Sequence, residues 1–288
     1  MEYNSEKLEI AIQNYVHDTT YDYAIMINGP WGCGKTYFIH NKVINYLKSY
    51  RPYVYISLYG IKSIEDITKQ IYIQNYFGNK KGEDISELTS FVSSVAYDLL
   101  EQKGIKISKL EKTLKNKLSI KRNTVLIFDD LERSTIPIVE LLGYINGFVE
   151  HQHLKVIVVA NEKEINRNVK NIEMKYLVAS KWVIEREDED NNIVSDLNEK
   201  VSQIFDERSE YDRIKEKLFG ESYDYVPDLE KSCKDILNGL KTDYQFYYDI
   251  LNKYISDFCA KMKESQHTNL RTFQFFLSKM IALAKNLT

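Results

Sequence analysis

Two patterns alternate along this chain. Short continuous apolar runs are followed by longer stretches in which apolar residues recur at helical spacing. Ser5 to Val16 is a stretch of the second kind, with Leu8, Ile10, Ala11, Ile12 and Val16 on one face. "YAIMING" (Tyr23 to Gly29) is a run of the first kind and ends in Asn-Gly, which predicts a buried strand and a turn. A helix is predicted from near Lys35 to about Tyr50, then a strand in "YVYISLYG" (Tyr53 to Gly60). Ser63 to Phe77 opens with a Ser-x-x-Asp cap and reads as a helix. "FVSSVAYDLLEQKG" (Phe91 to Gly104) reads as another, stopped by its glycine. Thr124 to Asp130 predicts a strand, Ile136 to His151 a helix, Leu154 to Asn161 a strand, and Lys217 to Asp228 a fifth strand.

Strands alternating with helices predict an α/β fold with a doubly wound, mainly parallel sheet. The four clearest strands are apolar throughout, as strands covered on both faces are. Glu162 to Glu216 is a long polar interval whose "EREDEDNN" run, Glu185 to Asn192, reads as a solvated loop tip. From Leu229 onward the pattern is helical. The expected organisation is a core over 1–228, with 162–216 as an inserted polar and helical region, and a helical lid over 229–288.

Composition adds limits. A formal charge of −3 excludes a chain that is basic throughout and built to coat nucleic acid. Cys33, Cys233 and Cys259 are far apart with no CxxC pair, which argues against a disulfide framework or a zinc site and fits a reducing cytoplasm. No apolar run reaches the roughly 18–20 residues of a membrane span, and the start "MEYNSEKLEI" is too polar for a signal peptide.

The chain has 11 glycines, and Gly29, Gly32 and Gly34 fall within six positions. Gly29-Pro30-Trp31-Gly32-Cys33-Gly34-Lys35-Thr36 is G-x-x-x-x-G-K-[ST], set between a predicted strand and a predicted helix. Such a loop turns backbone N–H groups inward, and the helix N-terminus after it adds partial positive charge. Lys35 is expected to reach the β- and γ-phosphates, Thr36 to ligate Mg²⁺, and Tyr37 to continue the binding segment. Downstream, Asp129 ends an apolar strand and is expected to hold the metal through water. Asp130 sits where a general base polarises an attacking water. Asn161, after the fourth strand, either bonds the γ-phosphate or the water or caps the next helix, and one residue can do both. Arg271, at a helix start that its charge disfavours, either meets phosphate or is an exposed surface residue. Arg133 either reaches a neighbouring subunit's nucleotide or pairs with Glu132.

"NGPWGCGKT" followed by "VLIFDDLERS" resembles the KAP-type P-loop NTPases, of the STAND branch close to the AAA+ ATPases. Trp31 matches that family's tryptophan inside the loop. Asp129-Asp130-Leu131-Glu132-Arg133 is similar to its "DDLDR" signature, with Glu in place of the later Asp. The resemblance implies an ATPase using Mg²⁺, with Asn161 as sensor 1 and Arg271 as sensor 2, and it leaves the base open between Asp130 and Glu132. For Trp31 the favoured reading is an indole that fills the gap under the loop rather than touching nucleotide. Many family members carry membrane helices between the two motifs; here that interval is polar.

The basic segment Lys103 to Arg122 carries seven Lys and one Arg against a single Glu, with Leu110, Leu114 and Leu118 on one face. It reads as a solvated lysine-rich helix before it reads as a nucleic-acid patch, because no aromatics interleave the lysines. The leading function is Mg-dependent ATP binding and hydrolysis in a nucleotide-driven switch that acts with its own copies or a partner protein. The resemblance adds bacterial signalling or anti-phage defence as a setting. Two alternatives are a small-molecule phosphotransferase and a module that holds ATP without turnover. GTP is disfavoured, since Asn161-Glu162-Lys163-Glu164 is not the Asn-Lys-x-Asp that reads guanine.

Overall fold

The computed structural model describes residues 2–77, 120–165, 210–239, 245–265 and 268–285. Among the described residues six strands form one sheet: β1 (Glu2–Tyr3), β2 (Ala24–Asn28), β3 (Tyr53–Ser57), β4 (Val125–Asp129), β5 (Lys155–Ala160) and β6 (Phe219–Tyr225). Their order is β1-β6-β2-β5-β4-β3. The β1/β6, β3/β4 and β4/β5 pairs are parallel. The expected α/β class and parallel sheet are what the chain has. The two-residue strand β1 was not expected, because two residues carry no period. The helix expected over 91–104, the basic helix over 103–119 and the loop tip over 185–192 lie outside the described residues, as does 166–209 of the polar interval.

The helices are α1 (Ser5–His17), α2 (Lys35–Phe38), a π-helical segment (Ile39–Ile44), α3 (Asn45–Tyr50), α4 (Ile64–Phe77), α5 (Ile138–Glu150), α6 (Glu210–Leu218), α7 (Leu229–Asn238), α8 (Gln245–Lys253), α9 (Ile255–Glu264) and α10 (Leu270–Lys285). None of those described is long and apolar enough to cross a membrane. The Ser63 hydroxyl accepts from Asp66 N–H at 3.2 Å, so α4 has the cap its sequence predicts.

The chain divides into two compact units. One comprises Thr19–Met26 and Leu47–Ser222. Its core is built by Val54 and Ile56 of β3, Leu126 and Phe128 of β4 and Val156 and Val158 of β5, with Leu141, Leu142 and Ile145 of α5 beneath them. The strands are in direct register, Tyr53 opposite Val125 and Val125 opposite Lys155. Among the described strands β3 lies at the sheet edge, where a backbone offers hydrogen-bonding groups. The buried Gln74 of α4 covers it: Tyr55 N–H donates to Gln74 Oε1 at 3.0 Å and Gln74 Nε2 donates to Tyr55 O at 2.7 Å.

The other unit comprises Met1–Asp18, Ile27–Tyr46 and Tyr223–Thr288. Leu229, Cys233 and Leu237 of α7, Ile255, Cys259 and Met262 of α9, and Leu270, Phe273 and Leu277 of α10 share one core at helical spacing. Burial raises both thiols there, so Cys233 and Cys259 act as small apolar residues.

The helix predicted from Lys35 to Tyr50 is helical throughout but not regular. At about 100° per residue, a regular helix would turn Ile44 roughly 180° from Lys35. Yet Lys35, Ile39, Val43 and Ile44 are all buried. The π segment takes up one extra residue through its wider turn and brings Val43 and Ile44 back to the buried side.

Candidate functional site

Three of the candidate segments lie at the carboxyl ends of strands of the parallel sheet. Gly29 follows β2, Asp129 ends β4 and Asn161 follows β5. That is where open α/β sheets bind ligands.

The glycine-rich loop has the backbone its sequence predicts. Gly32 (φ +76°) and Gly34 (φ +94°) are left-handed, and Gly34 is the residue from which α2 starts. Gly29 is glycine for a different reason. A Cβ there would sit 3.1 Å from Cys33 Sγ and 3.2 Å from Tyr225 O. Lys35 and Thr36 are the first two residues of α2, so their N–H groups belong to the helix's unbonded first turn. The Lys35 side chain is buried and folds along the loop: Nζ donates to Gly29 O at 2.5 Å and to Pro30 O at 3.1 Å. Burial raises the Cys33 thiol, which marks it as packing beneath the loop. Pro30, Thr36 and Tyr37 are exposed. Trp31 is 43% exposed, so the indole does not fill a gap under the loop as expected. It stands more exposed than Gly29, Cys33 and Lys35 of the same loop, which are buried.

The same unit brings the start of α10 to this loop. Leu270 N–H donates to Gly32 O at 2.9 Å. Asn269 caps α10: its Oδ1 accepts from Arg271 N–H at 2.9 Å and its backbone O from Thr272 N–H at 3.0 Å. Arg271 stands in the first turn, exposed.

The acidic segment belongs to the other unit, and its three carboxylates differ in environment. Asp129 is 1% exposed. The Tyr55 hydroxyl donates to its Oδ2 at 2.8 Å, and Asp130 N–H donates to its Oδ1 at 2.8 Å. Burial first, then the charge of Asp129, raises the Tyr55 phenol, so it stays a donor. The Asp129 carboxylate offers hard oxygen donors, the chemistry that suits a magnesium-bound water. Asp130 has left-handed backbone (φ 59°), which Asp tolerates better than most residues. Ser57 Oγ donates to it at 3.3 Å, and Arg133 Nε lies 3.4 Å away. Burial, with the charge of Asp129 next, raises its carboxyl above the usual range. The Glu132 side chain is buried, and its Oε2 accepts from Asn161 N–H at 2.9 Å. Arg133 is nearer Asp130 than Glu132, which it faces at 4.0 Å, and it lies over the Tyr59 ring at 5.4 Å. Asn161 is 6% exposed and starts a helical turn, its backbone O accepting from Glu164 and Ile165 N–H.

Tyr55 and Ser57 escape a reading of sequence alone, and Asn269 shows there only as the start of the Asn-x-Arg that ends at Arg271. Tyr55 and Ser57 are two apart on β3 and so share a face, but only the β3/β4 register shows that this face meets the acids. Tyr55→Phe should cost about 1.5–3 kcal/mol of stability, the worth of a hydrogen bond to a charged group. Chemical denaturation of the two proteins checks this.

The family described as the KAP family P-loop domain matches residues 5–74 and 57–181. No curated protein matches the chain. Among solved structures the chain is similar to a Walker-type ATPase of Pyrococcus abyssi, 13% identical over 98% of this chain and 73% of that one, with a TM-score of 0.36. The family match begins before the glycine-rich loop, runs past Asn161 and spans more than half of the sequence; this chain belongs to the KAP family of P-loop NTPases.

Proposed function

We propose that the chain is a Mg-dependent ATPase working as a nucleotide-driven switch. One observation carries the hydrolytic reading: the three acids divide the labour. Asp129 is fixed by Tyr55 and a backbone N–H, and Glu132 is committed to Asn161 N–H. Asp130 is partly exposed and has its carboxyl raised. It is the acid best placed to take a proton from water, and this favours it over Glu132 as the base.

In this reading the Gly29–Thr36 backbone cradles the phosphates, and Lys35 leaves the Gly29 and Pro30 carbonyls for the β- and γ-phosphate oxygens. Thr36 and Asp129 would hold the metal, and magnesium bound there would supply positive charge to offset that of the phosphate oxygens. Asp130 orients and deprotonates the attacking water, and the Asn161 amide bonds that water or the γ-phosphate. The region 229–288 serves as the lid on a core of 1–228, and its Arg271 reads the γ-phosphate. An arginine from a neighbouring copy speeds turnover, an effect worth about 10³–10⁵ in related chemistry. The cytoplasmic setting rests on cysteine usage, and a place in bacterial signalling or anti-phage defence rests on family resemblance.

Phosphate release measured with Mg-ATP and no acceptor, beside mass photometry with and without nucleotide, tests the reading. The expected result is acceptor-independent release and a nucleotide-dependent change in assembly. Tight ATP binding with no release and no ADP formed would make the chain a passive module, and ADP formed without free phosphate, only when a small-molecule acceptor is added, would make it a phosphotransferase. For the lid, Arg271→Ala should weaken ATP by about 1.5–3 kcal/mol, as loss of a charge-assisted bond does. ADP affinity should hold. Calorimetry with both nucleotides separates this from a general loosening, which would weaken the two alike.

A further inference from the structure

The contact between the start of α10 and the glycine-rich loop is built by a residue with no assigned role. A Cβ on Gly32 would collide with the side-chain amide of Asn269. The amide therefore occupies the hollow that the glycine leaves. Beside it, a Cβ on Gly34 would meet Leu270 Cδ1 at 3.2 Å, and Leu270 N–H is bonded to Gly32 O. Both left-handed glycines of the loop thus have a residue of the α10 start against the face where their side chains would be. Leu270 is in turn part of the core shared by α7, α9 and α10. The chain of contact runs from the phosphate loop through Asn269 and Leu270 into the helical bundle without a break.

We propose that Asn269 is a positioning residue for the phosphate loop: its amide, seated in the Gly32 hollow, holds the loop in the shape that receives the nucleotide phosphates. Asn269 touches no reacting atom. It acts through Gly32, and its second task, capping α10 through Oδ1, fixes the amide in that seat. The arrangement explains why Gly32 must be glycine twice over, once for its φ and once for the space. It also gives the bundle a direct hold on the loop, so that occupancy of the loop is felt at the first turn of α10. The proposal rests on the nucleotide-binding reading above but makes a separate claim.

Asn269→Ser isolates it. Serine caps a helix about as well as asparagine, so α10 keeps its start, but the shorter side chain vacates the hollow. The first readout needs no nucleotide: amide hydrogen exchange of the peptide covering 29–37 in the full chain. Exchange there should rise about fivefold or more, as expected when a local opening loses one contact, while peptides from α7 and α9 stay at wild-type rates. The second readout is calorimetry with ADP and a non-hydrolysable ATP analogue. Both should weaken alike by about fivefold, the scale of one lost packing contact, unlike the ATP-selective loss expected of Arg271→Ala. Unchanged loop exchange in Asn269→Ser overturns the proposal and leaves the residue a cap. Faster exchange with undiminished affinity overturns it too, since the shape held would then not be the binding shape. If Lys35→Ala binds nucleotide normally, it is the nucleotide reading that fails, and loop exchange alone then decides whether Asn269 holds the loop.

Discussion

Lys35→Ala should leave a folded chain that no longer holds ATP. The Lys35 ammonium is buried and carried by two loop carbonyls, which it would exchange for phosphate oxygens when nucleotide arrives. Its bonds to phosphate oxygens would be charge-assisted, about 1.5–3 kcal/mol each. Losing two of them costs about 3–6 kcal/mol, which is a fall of roughly a hundredfold or more in affinity. The substitution also takes a donor from Gly29 O, which is buried with its residue. A loss of about 1 kcal/mol in stability should accompany the binding defect. The two effects differ enough in size to be told apart. A variant with normal circular dichroism, a melting temperature lowered by a few degrees and no measurable heat of ATP binding is the expected outcome. Undiminished binding by that variant would remove the phosphate-loop reading.

Asp130→Asn should bind Mg-ATP and turn it over about 10²–10⁴ times more slowly, the usual worth of a positioned general base. Asparagine keeps the shape and can still accept from Ser57, but it cannot take a proton. The neighbouring acid should behave differently. Glu132→Gln retains an oxygen for Asn161 N–H, so its turnover should stay near that of the parent. Glu132→Ala removes the acceptor and leaves a buried N–H without its partner. Its signature should be a loss of about 1–3 kcal/mol in stability. Single-turnover phosphate release beside a denaturation curve for each variant distinguishes a base from a tether. A bound but inactive Glu132→Gln enzyme would move the base to Glu132.

What the sequence made legible was local. β2 to β5 announced themselves as apolar runs, because strands covered on both faces need no polar alternation. The phosphate loop could be read because its glycines, Lys35 and Thr36 are neighbours along the chain. The choice between Asp130 and Glu132 stayed open, because it turns on partners distant in sequence. Ser57 lies 73 positions from Asp130, and Asn161 lies 29 from Glu132. Such pairings come from strand register, and no periodicity encodes register between strands joined by long crossovers. The contact made by Asn269 was hidden for the same reason: "TNLR" shows a helix cap but not what the capping amide rests against. Trp31 misled because size suggests burial, whereas the indole stands exposed on the loop.

The wide turn at Ile39–Ile44 has a consequence at the level of the gene. The apolar residues behind the phosphate loop are spaced one amino acid too generously for a regular helix, as an inserted codon would leave them. Loss of the codon for Asn41 or Lys42, both exposed, would shorten the segment and let Val43 and Ile44 face inward on an ordinary helix. The same loss within Asn45–Tyr50 would swing every later side chain by about 100°. The stretch directly behind the loop is thus a place where this chain's reading length can change by one while both its ends keep their aim.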